Sequence, residues 1–195
     1  MEKDSINWHS RGYLPHYDNS DVYQSLTFRL AVSLSQKVLR VLEEDLSTLG
    51  EDDLDIKRRK LIDQYLDVGY GCCALNNQHM AKVMKESLIR FDNERYQLIA
   101  WCIMPNHVHV LIKPKVSLTK IIQSWRSYTG KWAFQNNEEF DLGLALDAKR
   151  FWMRDYWDRY IRSEKHYYTA IDYIHQNPVK AGLCQEAKKW KWSSA

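Results

Sequence analysis

The sequence predicts an α+β domain: one antiparallel sheet with helices on its faces. Three observations carry that prediction. Residues 22–32, 96–103 and 104–112 are β-rich, and several of them alternate between apolar and polar side chains. Residues 35–49, 51–67, 78–91 and 117–132 carry apolar side chains at helical spacing, as does the stretch from 163 to 177. The order of these pieces is strand, helices, hairpin, helix, strand, helix, which fits a ferredoxin-like or RRM-like antiparallel sheet.

Each element has its own reason. In 22–32, Tyr23, Leu26, Thr27, Phe28 and Leu30 favour a first strand. Val38, Leu39, Val41, Leu42 and Leu46 make one helical stripe, and Leu54, Ile56, Leu61, Ile62, Tyr65 and Leu66 make a second, broken by Gly69 and Gly71. Asn76 or Asn77 caps a helix bearing Met80, Val83, Met84, Leu88 and Ile89. Asp92-Asn93 is a turn, 96–103 a strand, and Pro105-Asn106 turns it back as a hairpin. Ser117 caps a helix with Leu118, Ile121, Ile122, Trp125, Thr129 and Trp132 on its apolar side. Residues 135–149 read as a loop and 156–162 as a fourth strand. Ser163 caps the last helix, which Pro178 stops after Asn177.

With 195 residues, 45% of them apolar, the chain is expected to be one domain over 1–195, with a polar arm at 1–20 and a tail at 179–195. No run of eighteen apolar residues predicts a membrane span, and the first residues lack a signal-peptide pattern. Cys72, Cys73, Cys102 and Cys184 show no Cys-x-x-Cys spacing, which argues for free cytoplasmic thiols over a disulfide framework or zinc ribbon. Net charge is only +3, but it is unevenly spread. Residues 43–67 hold nine acids against four bases, and residues 149–191 hold ten bases against five acids. A basic C-terminal half suits a polyanion, although a solvated surface could carry the same asymmetry. Eight Trp and twelve Tyr fill a core or offer stacking surfaces for single-stranded nucleic acid.

The stretch MPNHVHVLI at 104–112 carries the chemistry. On a strand, Val108, Val110 and Ile112 point one way and His107 and His109 the other, side by side. Two imidazoles so placed can reach one divalent cation, and oxygen ligands completing the shell would suit Mg²⁺ or Mn²⁺. A bare His-x-His is more often a metal-free strand face; the companion stretch Asp172 to Pro178 shifts the balance. There Tyr167, Ile171 and Ile174 form a core stripe, and Tyr173 projects elsewhere with Asn177 on its own face, one turn on. If that helix packs on the histidine face, phenol, carboxamide and imidazoles converge. Tyr128 and Tyr168 are rival nucleophiles, and Gln176 rivals Asn177.

These stretches resemble the HUH superfamily of single-strand DNA endonucleases and transposases, and within it the REP-associated tyrosine transposases. The resemblance spans nearly the whole chain: residues 11–16 (RGYLPH), 23–30, 100–114, 151–162, 173–183 and 190–194. It implies that Tyr173 is the nucleophile, joining a 5′-phosphate and releasing a 3′-hydroxyl, and that His107, His109 and Asn177 hold Mg²⁺ or Mn²⁺. It implies a bacterial, cytoplasmic, nucleoid-associated enzyme, monomeric or weakly dimeric. The partner would be a single-stranded DNA hairpin of the repetitive-palindrome kind, with no membrane involved. Arg11, Tyr13 and His16 of the arm are candidate DNA contacts, and so are Lys113, Lys120, Arg126, Arg154, Arg159, Arg162, Lys165 and Lys180, which singly read more as ordinary solvated surface but as a set fit a basic groove. Trp190 and Trp192, between lysines, read as a tucked-in strand or a positioning tail. Two other functions fit the same residues: a hairpin-binding protein without catalysis, and a metal-dependent hydrolase that uses water.

Overall fold

A four-stranded antiparallel sheet, ordered β4–β5–β3–β6, organises the computed structural model. The structure describes residues 8–10, 15–17, 22–31 and 72–195. Within these, the strands are β1 (Trp8–Ser10), β2 (Pro15–Tyr17), β3 (Gln24–Arg29), β4 (Tyr96–Ile103), β5 (His107–Pro114) and β6 (Trp157–Tyr160). The helices are α1 (Gln78–Ile89), α2 (Leu118–Gln135), α3 (Asn137–Phe140) and α4 (Glu164–Lys180). The expected helices at 35–49 and 51–67 lie outside the described residues. Within the arm expected to be irregular, β1 and β2 pair antiparallel, Trp8 opposite Tyr17.

Register follows from burial. Leu26 and Phe28 of β3, Leu30 just after it, and Val108, Val110 and Ile112 of β5 all enter the larger core. There they meet Met80, Met84 and Leu88 of α1 and Ile121, Ile122 and Trp125 of α2. Buried polar atoms on this face bond to one another. The Trp125 indole donates to the Tyr96 hydroxyl at 2.9 Å, which donates to the Leu88 carbonyl at 2.7 Å. The Trp152 indole donates to Thr129 at 2.8 Å, and Thr129 donates to the Trp125 carbonyl at 2.7 Å. Trp101, Trp125 and Trp152 are buried, so part of the aromatic excess goes into this core.

The opposite face is smaller. Ala100, Cys102, Met104 and Leu111 pack there against Ala170 and Ile174 of α4, with Tyr167, Ile171, Tyr173 and Trp190 at the margin. A register shift between Leu98 and Ala100 turns the second half of β4 so that Ala100 and Cys102 face α4.

Several elements differ from expectation. The first strand is shorter than 22–32 because Ala31 leaves the ladder to bond the Phe151 carbonyl. The Asn77 side chain caps α1 through His79 N and Met80 N. Ser117 holds the N-cap position of α2, but no side-chain capping bond forms there. Residues 135–149 are not all loop: α2 runs to Gln135, and α3 forms one turn, after which Asn137 bonds Leu144 both ways. Pro178 does not stop α4, which continues to Lys180. The real stop is Gly182, with φ +69°. Gly182 N donates to Val179 O and Leu183 N to Pro178 O, the paired bonds of a Schellman motif. No helix among the described residues is long and apolar enough to cross a membrane.

Candidate active site

Strand β5 lies between β4 and β3, so His107 and His109 are held from both sides. Alternation sends both imidazoles to the α4 face, and both are buried. Their outer nitrogens are anchored. His107 Nδ1 lies 2.7 Å from Asn106 Oδ1, and His109 Nδ1 lies 2.8 Å from Thr27 Oγ1. The Thr27 anchor is a matter of register, because Thr27 pairs with His109 across the ladder. The inner nitrogens face each other, Nε2 to Nε2, at 2.9 Å.

Electrostatics keep both rings neutral. Burial pushes His107 well below the usual imidazole range, and the neighbouring His109 and Arg29 add to that. Burial also pushes His109 down to about 3, with the Lys180 charge assisting. Neutral imidazole is the ligating form. Asn106 Oδ1 can only accept, so His107 Nδ1 carries the ring proton and His107 Nε2 presents a lone pair to His109 Nε2. Without a cation the two Nε2 atoms share a hydrogen bond, and a cation would take the place of the shared proton. Two ligands about 2.1 Å from one octahedral ion at a right angle are about 3 Å apart, so the spacing fits one hard divalent cation.

Helix α4 brings the remaining groups. The Tyr173 ring meets the His109 ring edge to face, centroids 5.5 Å apart. Asn177, one turn on, is buried, and its Nδ2 donates to the Tyr173 carbonyl at 2.7 Å. That bond commits the amide nitrogen and leaves Oδ1 as the end able to act as a ligand. Gln176 is exposed. Lys180 places its ammonium 5.0 Å from the Tyr173 ring centroid. Among the described residues no group of three or more His, Cys, Asp and Glu could hold a metal, so a carboxamide third donor is what the site offers.

The other expected residues scatter. Arg11 and Tyr13 lie outside the described residues, and His16 stands opposite His9 in the β1–β2 ribbon. Arg126 turns its guanidinium to the carbonyls of Arg154 and Met153. With Arg154 and Lys131 it lines a groove of about 650 Å³ beside α2, on the face away from the histidines. Lys120 is exposed on α2, Arg159 is exposed on β6, and Lys165 is exposed in the first turn of α4. Arg162 lies over the Tyr160 ring at 4.8 Å, and Lys113 over Tyr23 at 5.6 Å. The rival tyrosines Tyr128 and Tyr168 are exposed, whereas Tyr173 lies against the His109 imidazole. Sequence reasoning missed Thr27, Arg29 and Asn106. The polar alternation of Thr27 and Arg29 within Leu26–Leu30 was visible, but their register against β5 was not.

Known proteins resemble the chain in sequence and in fold. The chain is 24% identical over 114 residues to the REP-associated tyrosine transposase of Escherichia coli K12, covering 58% of this chain and 63% of that protein. A Haemophilus influenzae relative is 27% identical over 111 residues, covering 51% of this chain and 58% of its own. The chain thus spans about six tenths of the length of these curated relatives. A solved REP-associated tyrosine transposase bound to a REP hairpin superposes with a TM-score of 0.57 at 17% identity. That match covers 95% of this chain and 82% of the solved one, and it supports the fold. The family model described as "Transposase IS200 like" matches residues 73–177, a span that takes in both histidines, Tyr173 and Asn177. By that match, over more than half of its length, the chain belongs to the IS200-like transposase family.

Proposed function

We propose that this protein is a metal-dependent single-stranded DNA endonuclease and strand transferase that acts at REP-type hairpins. Tyr173 is its nucleophile, and His107, His109 and Asn177 are its metal ligands. One observation carries the reading: two neutral imidazoles aim their Nε2 atoms at one cation-sized point, and a tyrosine ring on the packed helix touches one of them.

The chemistry follows from the groups present. Tyr173 Oη attacks the phosphorus of a phosphodiester, forming an O–P bond as the P–O3′ bond breaks. The products are a 5′-phosphotyrosine and a free 3′-hydroxyl. The link keeps the energy of the broken bond, so a 3′-hydroxyl can later reverse the step without ATP, phenolate being the leaving group. A divalent cation held by the three ligands would neutralise phosphate oxygens and stabilise charge on the displaced oxygen. Asn106 and Thr27 orient the imidazoles so that Nε2 is the ligating end. Lys180 and Arg29 add positive charge beside the site, suited to a phosphate. The exposed Arg159, Arg162 and Lys165 could track the backbone of a bound strand.

The test is Tyr173→Phe in a cleavage assay on a hairpin-linked single strand with Mn²⁺ or Mg²⁺, read on a denaturing gel. Wild-type protein yields a protein-linked strand, and the variant yields none while still binding the hairpin. Unchanged cleavage would remove Tyr173 from the role. Cleavage without a linked strand would point to attack by water, and metal-independent binding without cleavage to a hairpin-binding protein on this fold.

A further inference from the structure

Strand β4 is an edge of the sheet, and an open edge offers unpaired backbone groups to any passing strand. Here the stretch from Trp190 to Ser194 occupies it. Ile103 N donates to the Trp192 carbonyl at 2.8 Å, and the Trp190 indole donates to the Ile103 carbonyl at 3.0 Å. Ser194 N donates to the Trp101 carbonyl at 3.0 Å, and Trp101 N donates to Ser194 Oγ at 2.9 Å. The amide and carbonyl of both Trp101 and Ile103 are therefore taken by this strap.

The strap also reaches the helix that carries the nucleophile. Ser194 Oγ lies 2.9 Å from His175 Nε2, two residues from Tyr173. The single hydroxyl thus joins β4 to α4. Trp190 packs in the same small cluster as Ile171, Ile174 and Tyr173. That cluster is the thinner of the two cores, so α4 has less apolar burial to fix its place than α2 has. Helix α4 is held against β4 partly by a polar tie through a third element.

We propose that the Trp190–Ser194 strap is the positioning element for Tyr173: it clamps α4 on the sheet at the distance that in-line attack requires. The proposal rests on the reading of Tyr173 as nucleophile. Ser194 and Trp190 are positioning residues, acting through His175, Ile103 and the packing of α4.

The experiment compares wild type, Ser194→Ala, Ser194→Thr and Trp190→Phe under single-turnover conditions, with saturating Mn²⁺ and a hairpin-linked single strand. Ser194→Ala should lower the rate constant for covalent-adduct formation by about ten- to a hundredfold, as small misplacements of reacting groups do. Hairpin affinity should stay unchanged. Ser194→Thr, which keeps the hydroxyl, should recover most of the rate, and Trp190→Phe should fall between. Amide hydrogen exchange over residues 170–177 should quicken in Ser194→Ala and Trp190→Phe, while exchange in α2 stays as in wild type. A wild-type rate constant in Ser194→Ala overturns the proposal. So does a loss of rate that follows a loss of hairpin affinity with α4 exchange unchanged, which would make the strap a DNA contact. If wild-type protein forms no adduct, the nucleophile assignment fails. The exchange readout then judges the clamp alone, and unchanged protection in both variants refutes it.

Discussion

The two faces of the sheet are built by different rules. On the α1–α2 face, large side chains are dry, and every polar atom named there bonds to another within the core: Leu88, Tyr96 and Trp125 in one chain, Trp125, Thr129 and Trp152 in the next. On the α4 face the apolar cluster is small, and the buried groups are imidazoles and a carboxamide whose ligating ends turn toward one another. The first face holds the larger apolar core, and the second holds the candidate site. A satisfied polar network rigidifies a core. Two ring nitrogens sharing one hydrogen bond mark a point where a cation could replace the shared proton.

That contrast can be sharpened by removing one anchor from the chemical face. Thr27→Val keeps the shape and deletes the hydroxyl beside His109. Loss of such an outer partner typically costs about ten- to a hundredfold in metal affinity, measurable by titration calorimetry with Mn²⁺ on the folded variant. Equal affinity would show that His109 needs no anchor. The converse change is Trp125→Phe on the stable face. It removes the donor to the Tyr96 hydroxyl and should cost about 1–3 kcal/mol in denaturant unfolding, with cleavage per folded molecule unaltered. A large loss of cleavage there would mean the two faces are coupled more tightly than their chemistry suggests.

A third test is in pH. In the folded protein both site histidines stay neutral, His107 held well below its usual range and His109 down to about 3. Unfolded, they titrate near 6.5, so below that pH the unfolded chain binds more protons. Their contribution to stability is whole above pH 6.5 and is lost as pH falls toward 3. Metal-free thermal melts between pH 7 and 4 should show this as a declining midpoint, shallower in His109→Asn. A midpoint flat across that range in both proteins would contradict the neutral pair.

Much of this was legible in the residue pattern, for local reasons. Period-two alternation placed Val108, Val110 and Ile112 in one core and the histidines opposite them, and helical spacing put Asn177 on the side of Tyr173. Long-range pairing was not legible. Nothing in the spacing of Thr27 or Asn106 says which imidazole each will hold. Pro178 looked like a stop because proline lacks an N–H, yet the helix continues one turn to a glycine that can take positive φ. Trp190 and Trp192 looked alike in sequence; one joins the small cluster and the other packs on the large core.

Residues 107–112 of β5 are buried along their whole run, so this ribbon is a wall shared by two rooms. Anything that resizes the furniture behind it, such as Ile112→Val or a bulkier side chain at Val110, must push or slacken the plane on which the imidazoles hang. The gap between their Nε2 atoms, only a few ångströms, leaves tenths of an ångström of tolerance. On the proposed reading of the site, ion preference should therefore be tunable from the side of the sheet that the histidines do not face.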